Sequence, residues 1–173
     1  MTIDIRISFA CKEDVPAIFE IMESTYQKME RRDWFCIDDI SFLYRHVCDE
    51  GFILKAEVSG ELAGFLTVRY PGSAQDNLGS YLHLSADEKA LVAHMESAAV
   101  KEAFRGRGIQ KKLMEEAEEI LWQKGYRYLM GTAHPENQYS VNNFLKLGYE
   151  IVAEDLKYGG LPRYVFCRGK KND

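Results

Sequence analysis

Apolar and polar residues alternate along the chain with two different periods, and these periods predict its strands and helices. Residues 3–9 are apolar at every second position, which is typical of a strand with one buried face. Residues 15–29 are apolar at every third or fourth position, which predicts an amphipathic helix. A second helix is predicted over residues 40–47, with Asp38 or Asp39 as its N-cap. We therefore expect the chain to open with one strand and two helices.

The rest of the chain adds further strands and two longer helices. Residues 52–58 and 61–70 predict a hairpin, because Ser59-Gly60 between them is a typical tight-turn pair. The remaining segments predict a short helix over 86–92, helices over 109–121 and 135–147, and strands over 95–101, 126–133, 149–156 and 163–167. This order predicts one mixed α/β domain over residues 1–173, with a central sheet of about seven strands and about four helices.

Composition and charge limit what such a domain can do. The 173 residues are 46% apolar and 28% charged, which is typical of a soluble globular chain. The 22 basic and 27 acidic residues give a net charge of −5, so we expect no binding to nucleic acid or to an anionic membrane, which needs a basic face. No apolar run approaches the roughly 20 residues of a membrane span. Residues 3–9 lack the continuous apolar centre of a signal peptide, so a cytoplasmic location is expected.

The cysteines point away from a metal site. None of them forms a C-x-x-C pair, which excludes a zinc ribbon and a thioredoxin-like site. Because a chain of this length can form a core without disulfides, we expect free and mostly buried thiols. The four cysteines are Cys11, Cys36, Cys48 and Cys167. We therefore expect no metal in this protein.

The segment with the clearest chemistry is a basic, glycine-rich turn between a predicted strand and a predicted helix. Gly106 and Gly108 leave the backbone amides of the turn uncovered, and the first amides of the helix have no partner within it. Positive charge is added by the side chains of Arg105, Arg107 and Lys111. Such a turn favours phosphate binding, although neither the P-loop pattern nor G-x-G-x-x-G is present.

This turn and a second motif together resemble the GNAT acetyltransferases. The first motif is similar to the family's acetyl-CoA signature, Q/R-x-x-G-x-G/A, and has the sequence Val100-x-x-x-x-Arg105-Gly106-Arg107-Gly108-Ile109. The second is similar to N-x-x-A-x-x-F-Y-x-K-x-G-F and consists of Asn137-x-x-Ser140 and then Phe144-x-Lys146-x-Gly148-Tyr149. The resemblance covers essentially the whole chain. It implies an N-acetyltransferase in which the amine of a small molecule or peptide attacks acetyl-CoA directly.

The resemblance also implies how acetyl-CoA binds. Strands 95–101 and 126–133 would splay apart and leave a slot for the pantetheine arm, while the pyrophosphate would sit on the amides of the turn. The residues to which it assigns cofactor binding are Ala98, Ala99, Val100, Arg105, Gly106, Arg107, Gly108, Ile109, Gln110, Lys111, Asn137, Ser140, Asn143 and Phe144. Asn137 also stands where it could cap the following helix, so both roles are open.

Two positions depart from the family pattern. The final small residue of the first motif is Gln110, which still offers its backbone amide, so we expect acetyl-CoA to bind with altered geometry. The tyrosine that serves as general acid in the family is replaced by Phe144, which cannot donate a proton. Tyr139 is the nearest phenol in the sequence and the candidate acid, but helical spacing places it on a different face from Phe144.

Two residues of the strand before the turn are candidates for the general base. Glu96 would line the slot on the same face as Ala98 and Val100, and could take a proton directly or through water. The other interpretation of Glu96 is a structural carboxylate paired with a basic side chain. His94, on the same face, is the second candidate base, although a single histidine is more often a structural residue.

Aromatic and acidic residues cluster where the resemblance implies the acceptor pocket, in segments 26–45, 71–93 and 157–164. The aromatic residues that either line this pocket or pack in the core are Tyr26, Trp34, Phe35, Tyr44 and Tyr70. The acidic residues that either attract a cationic amine or are solvated and cap helices are Glu30, Asp33, Asp38 and Asp39. The sequence therefore indicates a region for the acceptor without naming it.

Three functions remain open from the sequence. The first is the amine acetyltransferase, acting as a monomer or a homodimer. The second is a module that binds CoA or acyl-CoA with little or no transferase activity, which Phe144 in the acid position motivates. The third is a nucleic-acid-binding domain that uses the turn over 105–108, against which the net charge of −5 argues.

Overall fold

Seven strands form one sheet in the computed structural model, which describes residues 3–170. The strands are β1 (Ile5–Phe9), β2 (Gly51–Val58), β3 (Glu61–Arg69), β4 (Val92–Val100), β5 (Tyr128–Ala133), β6 (Glu150–Lys157) and β7 (Leu161–Gly169). The α-helices are α1 (Val15–Lys28), α2 (Ile40–His46), α3 (Ala86–Lys89), α4 (Ile109–Gln123) and α5 (Gln138–Lys146). Short 3-10 turns lie at Lys12–Asp14, Arg32–Trp34, Leu78–Leu82 and Glu102–Phe104.

One pair of strands in the middle of the sheet differs from all the others. The strand order is β1-β2-β3-β4-β5-β7-β6, and every neighbouring pair is antiparallel except β4 and β5, which are parallel. Parallel neighbours need a long crossover connection, and α4 provides it. Helices α4 and α5 pack on one face of the sheet, and α1 and α2 pack on the other.

The apolar faces of the helices form the core on both sides of the sheet. Leu113, Ala117 and Leu121 lie four residues apart on α4 and are 0% exposed. Ile18 and Met22 of α1 are equally buried on the opposite face. A spacing of three or four residues places side chains on one side of a helix, so the periods seen in the sequence select these positions.

Strand β4 carries the irregularity that shapes the candidate site. It pairs with β5 only over Val92–Met95, whereas it pairs with β3 to its end at Val100. Its register against β3 shifts between Met95 and Ser97, so Glu96 is the extra residue of a β-bulge. Beyond Met95 the two parallel strands separate, and a gap opens between them in the middle of the sheet.

The predicted fold class is confirmed, but several predicted boundaries are wrong. The strand expected from residue 95 already begins at Val92, because the helix expected over 86–92 ends at Lys89. The helix expected from residue 135 begins at Gln138. The last strand, expected over 163–167, is longer at both ends because it pairs with β5 on one side and β6 on the other.

The cysteines correct another expectation. All four are free, but Cys11, Cys36 and Cys48 are exposed and Cys167 is only partly buried, so the prediction of mostly buried thiols is wrong. The three exposed cysteines lie in connections between elements, where no apolar period directs a side chain into the core. Within residues 3–170, no helix has the length and apolar character needed to cross a membrane.

Candidate active site

The gap between β4 and β5 opens into a cavity of about 540 Å³. One wall is formed by β4 from Met95 to Val100, and the opposite wall is formed by Thr132 and Ala133 of β5 together with α5. The segment over residues 28–38, which follows α1, covers a third side. The cavity thus lies beyond the carboxyl ends of two parallel strands, which is a common place for a ligand in an α/β sheet.

One end of the cavity reaches the glycine-rich turn before α4. Gly108 is the N-cap of α4, with a φ of 74° and no side-chain hydrogen bond to the first helical amides. Gly106 has a φ of 79°, and a Cβ atom on either glycine would meet no atom within 4 Å. The space beside the Cα atoms of both glycines is therefore open. Free amides and the dipole at a helix N-terminus favour an anion, and binding of the CoA pyrophosphate at this turn stays a prediction.

Basic side chains flank the turn. Arg105 lines the cavity, and its Nε donates a hydrogen bond to the carbonyl of Val100 at 3.0 Å. The guanidinium of Arg107 lies over the ring of Phe104, 5.5 Å from its centroid. Lys111, on the first turn of α4, lies 3.7 Å from Glu115 on the surface. These cations add positive charge around the amides of the turn.

The structure places the fourteen residues implied in cofactor binding in three groups. Those that line the cavity are Ala98, Ala99, Val100, Arg105, Gln110, Asn137, Ser140 and Phe144. Those that form the turn beside it are Gly106, Arg107, Gly108 and Lys111. The last two have side chains elsewhere, since Ile109 is buried in the core and Asn143 does not line the described cavity. The cofactor roles of all fourteen residues stay predictions.

The second motif supports the wall formed by α5. The ring of Phe144 stacks on Phe166, with 4.5 Å between centroids, and lies against Gly131 of β5, where a Cβ atom would be only 2.6 Å away. Asn137 caps α5, because its side-chain oxygen accepts the amide of Ser140 at 3.4 Å. The capping interpretation of Asn137 is therefore seen, and its contact with acetyl-CoA stays a prediction.

The bulge changes the face of β4 on which Glu96 lies. Met95 and Ala98 both pack beneath α4, so the alternation of side chains shifts by one residue between them. Glu96 instead contacts Arg69 and His94, whose strand positions place them on the opposite face of the sheet. The prediction that Glu96 shares a face with Ala98 is therefore wrong, although Glu96 does line the cavity.

Two basic side chains hold the Glu96 carboxylate in place. Its Oε1 lies 3.3 Å from Nη1 of Arg69 and 3.6 Å from Nδ1 of His94. Burial acts to raise the pKa of Glu96, but the hydrogen bonds of His94 and Arg69 and the positive charge of Arg69 outweigh burial and lower the pKa below its usual value. Glu96 is therefore charged near neutral pH, and its roles as base and as structural carboxylate both stay open.

His94 lies behind Glu96, away from the cavity. It is 3% exposed, and its Nε2 accepts a hydrogen bond from the amide of Leu78 at 3.0 Å. With Nε2 as the acceptor, the proton of the neutral ring is on Nδ1, which is the atom that faces Glu96. This geometry supports a positioning role for His94. His94 is not among the described residues that line the cavity, so this geometry does not support its predicted role as a base.

Asp38 is a cavity residue whose chemistry was not evident from the sequence. It lies just before α2, is half-buried, and lines the cavity close to Glu96 and Ser97. Burial, followed by the negative charge of Glu96, raises the pKa of Asp38 to about 7. A carboxyl group with such a pKa can both take up and release a proton near neutral pH, which is what a general base requires.

The structure separates the four acidic residues that the sequence grouped together. Asp39 caps α2 with its side chain, as one of the two predicted caps. Asp33 lies 3.0 Å from Nη2 of Arg31 and 3.3 Å from Nε2 of His134. The two that line the cavity are Glu30 and Asp38. Residues 3–170 contain no group of three His, Cys, Asp or Glu side chains that could hold a metal ion.

Two tyrosines line the cavity. Tyr139 of α5, the candidate acid from the sequence, is 58% exposed at the rim. Tyr158 lies in the turn between β6 and β7, and its hydroxyl is 3.0 Å from Oγ1 of Thr132 on β5. Burial raises the pKa of Tyr158 to about 12, so this hydroxyl keeps its proton at neutral pH. Only its place in segment 157–164 could have drawn attention to Tyr158.

Only some of the aromatic residues that the sequence predicts near the acceptor line the cavity. Trp34 and Phe35, in the segment after α1, line the cavity. The three that do not line it are Tyr26, Tyr44 and Tyr70. Tyr70 instead stacks on Tyr126, with 5.0 Å between the ring centroids. The apolar patterns alone did not distinguish these environments.

The chain matches the family model described as "Acetyltransferase (GNAT) family" over residues 15–149. An N-acetyltransferase of Staphylococcus aureus Mu50 has 19% identity and a TM-score of 0.74, covering 96% of this chain and 98% of that one. The yncA protein of Salmonella typhimurium, solved with its cofactor acetyl-CoA, has 19% identity and a TM-score of 0.74, with coverage of 98% and 96%. A ribosomal-protein-alanine N-acetyltransferase of Brucella melitensis has 20% identity and a TM-score of 0.74, with coverage of 95% and 99%.

These similarities agree with the geometry of the cavity. At such identities the solved structures show a shared fold, in which a mixed seven-stranded sheet carries helices on both faces. The family match extends over both sequence motifs, from before the first to the end of the second. It confirms the predicted reaction class, acetyl transfer from acetyl-CoA, which is the chemistry of this family. The chain belongs to the acetyltransferase (GNAT) family.

Proposed function

We propose that this acetyltransferase moves the acetyl group of acetyl-CoA to the amine of a small molecule. The observation that carries the proposal is the pair of carboxyl groups of Asp38 and Glu96 in the cavity beside the gap between β4 and β5. Carboxyl groups attract an ammonium group and can accept its proton. A hydroxyl acceptor carries no charge that this pair could attract, so the pair favours an amine.

The cofactor end of the cavity supports the same reaction. Acetyl-CoA supplies a thioester carbonyl carbon that an amine can attack. The amides of the turn at Gly106 and Gly108 would bind the pyrophosphate, which the open space at both glycines supports. Because β4 no longer pairs with β5 from Glu96 to Val100, this edge offers backbone groups to the pantetheine arm. Binding along this edge would orient the acetyl group toward the two carboxyl groups.

The two carboxyl groups would then act on the amine in different ways. Glu96 is kept charged by Arg69 and His94, so it attracts the ammonium form of the acceptor. Asp38, with a pKa of about 7, takes the proton and leaves a neutral amine that can attack. Asp38 must be deprotonated to do so, and the rate is therefore expected to rise with pH up to about pH 7 and then level off.

Tyr158 is the proposed proton donor to the departing CoA thiolate. Its hydroxyl lies beside Thr132 on the β5 wall of the cavity. The proton that it gives to the thiolate would be replaced from solvent, because Tyr158 is 45% exposed. Tyr139 stays the second candidate because it also lines the cavity. Phe144, which stands in the position of the tyrosine that serves the family as general acid, has no proton to donate, and its ring stacks on Phe166.

The test is the initial rate of CoA release from acetyl-CoA with a panel of small amines and peptides. Asp38→Asn is expected to lower kcat by about 100-fold and to remove the rise of the rate up to pH 7. Glu96→Gln is expected to lower kcat/KM mainly by raising KM for the amine. Asp39→Asn is the matched control, since Asp39 caps α2 outside the cavity. Because the charge of Asp39 adds to the raised pKa of Asp38, this change should move the rise of the rate to lower pH and leave the plateau rate unaltered.

The alternative is a module that binds CoA without appreciable transfer. The observation in its favour is Phe144, which cannot protonate a thiolate. Acetyl-CoA binding measured by calorimetry, together with no acetylation of any amine in the panel, would contradict the proposed reaction and support this alternative. Acetylation of an amine at rates typical of enzymes, about 1 per second or faster, would exclude the module.

A further inference from the structure

The acceptor end of the cavity contains a buried cation that the proposed reaction does not use. Arg163 of β7 lines the cavity and is 2% exposed. Its Nη1 donates to the carbonyl of Pro162 at 2.7 Å, and its Nη2 donates to the carbonyl of Asp33 at 2.8 Å. Both acceptors are neutral backbone groups. Within residues 3–170, no carboxylate lies within 4.0 Å of this guanidinium.

A buried charge without a partner is unfavourable, and burial lowers the pKa of Arg163 accordingly. The nearest carboxylates already have partners. Asp33 offers Arg163 only its carbonyl, because its side chain is paired with Arg31 and lies 3.3 Å from His134. The cavity therefore presents a cation whose counter-anion the described part of the chain does not supply.

The ring of Tyr158 lies close to the cation and within the influence of one of the two carboxyl groups. The guanidinium of Arg163 lies 5.4 Å from the ring centroid of Tyr158. The charge of Glu96, in turn, is close enough to Tyr158 to influence its pKa. The cavity therefore contains a cation, Arg163, as well as the carboxyl groups of Asp38 and Glu96.

We infer that the acceptor is a small molecule with both an amine and a carboxylate, of the α-amino acid class. Its carboxylate would pair with Arg163, and its amine would lie at Asp38 and Glu96, within reach of the thioester. The N–H groups of Arg163 that Pro162 and Asp33 do not occupy would donate charge-assisted hydrogen bonds to this carboxylate, which would fix the orientation of the amine. This inference rests on the proposed function and adds the substrate class to it.

The same geometry distinguishes a free amino acid from two other acceptors. A simple alkylamine would leave Arg163 without a counter-anion. The N-terminus of a peptide carries an amide where an amino acid carries its carboxylate, so it would offer Arg163 a neutral carbonyl only. Neither would gain the charge-assisted hydrogen bonds that a carboxylate makes with a buried guanidinium.

The experiment compares matched sets of three acceptors, each an L-amino acid, its decarboxylated amine and its carboxamide. Examples are phenylalanine, phenethylamine and phenylalanine amide, with further sets for aliphatic, sulfur-containing and acidic side chains. In the best set we expect kcat/KM for the amino acid to exceed that for the carboxamide by about 10- to 100-fold. Equal rates for the three members would overturn the inference and leave the proposed function standing. No acetylation of any member, with acetyl-CoA bound, would instead contradict the proposed function.

Variants then test whether Arg163 carries the preference. Arg163→Met is expected to remove most of the difference between acid and carboxamide by raising KM for the acid, and Arg163→Lys is expected to keep part of it. Glu136→Gln is the matched control, because it breaks the 2.7 Å ion pair that holds the same segment through Arg31 without removing a cavity residue. Glu136→Gln should keep the full preference. If Arg163→Met melts and binds acetyl-CoA normally but still prefers the amino acid over its carboxamide, the assignment of Arg163 is overturned. If the Met variant does not fold, the same comparison is made with Arg163→Lys.

Discussion

Two carboxyl groups in one cavity have their pKa values shifted in opposite directions. Glu96 is surrounded by Arg69 and His94, which favour its charged form, whereas Asp38 faces burial and the charge of Glu96, which disfavour its own. Such divergence is common where groups must do different work in one reaction. At the scale of single residues, the chemistry of this site therefore lies in the neighbours of each carboxyl group.

The raised pKa of Asp38 gives a stability prediction with a definite sign. The folded protein binds this proton with a pKa of about 7, whereas an unfolded aspartate has a pKa of about 3.9. Stability therefore falls as pH rises from about 4 to about 7, because the unfolded chain releases the proton more readily. We expect Asp38→Asn to melt at a higher temperature than the wild type at pH 8, with the difference vanishing near pH 4.

The adjacent Asp39 provides the control, since its pKa is shifted the other way. Hydrogen bonds from Ser41 and from the amide of Phe42 lower the pKa of Asp39. The stabilising contribution of Asp39 to the folded state is therefore present above the pKa that an aspartate has in the unfolded chain, and it is lost as the pH falls. Thermal melting of Asp39→Asn should show no gain at pH 8. An equal gain in both variants would show that the Asp38 effect does not come from its buried charge.

At the scale of elements, the turn before α4 and the wall formed by α5 each depend on a glycine. Gly108 leaves open the space that a side chain would occupy at the N-cap of α4. Gly131 of β5 makes room for the ring of Phe144, which closes the cavity wall at the point where the strands separate. A side chain at Gly108 would fill the space beside the turn, and a side chain at Gly131 would displace the ring of Phe144.

Gly108→Trp is expected to abolish acetyl-CoA binding while the protein stays folded. The new side chain would fill the open space where the pyrophosphate is proposed to bind, and it would meet no protein atom within 4 Å at its Cβ. Gly60→Trp in the β2–β3 turn is the matched control, with a similar φ of 81° and similarly open surroundings. Calorimetry should show binding to the control only. Unchanged affinity in Gly108→Trp would show that the turn does not bind the cofactor.

Gly131→Ala is expected to destabilise the protein by about 1–3 kcal/mol through overpacking. The added Cβ would lie 2.6 Å from the Phe144 ring, which Phe166 holds on its other side. Gly169→Ala, where the nearest atom is 4.0 Å away, is the control and should have little effect. Chemical denaturation measures both. An unchanged free energy of unfolding in Gly131→Ala would mean that α5 shifts freely along the sheet.

At the scale of the whole molecule, the cavity is lined by segments that are distant in the sequence and meet only in the folded protein. A ligand that contacts β4, α4 and α5 together stabilises the folded state as a unit. At about 100 times its dissociation constant, acetyl-CoA should add about 2.7 kcal/mol, which raises the melting temperature of a domain of this size by several degrees.

The measurement is thermal melting with acetyl-CoA, with ATP and NAD as controls at the same concentration. Both controls carry phosphates but lack the pantetheine arm, so they test whether the gap between β4 and β5 contributes to binding. A shift with acetyl-CoA alone is the expected result. Equal shifts with all three compounds would show that only the phosphate-binding turn is used.

Local patterns in the sequence determined much of this protein. The apolar periods predicted the core residues on both faces of the sheet, and the two motifs predicted the family and the position of the glycine-rich turn before α4. These features could be predicted because a period, a capping residue or a glycine acts on residues next to it in the chain. Glu96 was found in the same way, since it stands on the strand that precedes the turn.

Only the tertiary structure decided which residues meet at the acceptor end of the cavity. Asp38 acquires its raised pKa from burial and from Glu96, and Arg163 loses its exposure by packing against the segment after α1. Tyr158 reaches Thr132 only because β6 and β7 fold back onto β5. Burial and charge proximity depend on contacts between distant segments, so no local pattern carries them. The bulge at Glu96 is likewise set by the pairing of β4 with β3, which is why its face could not be predicted.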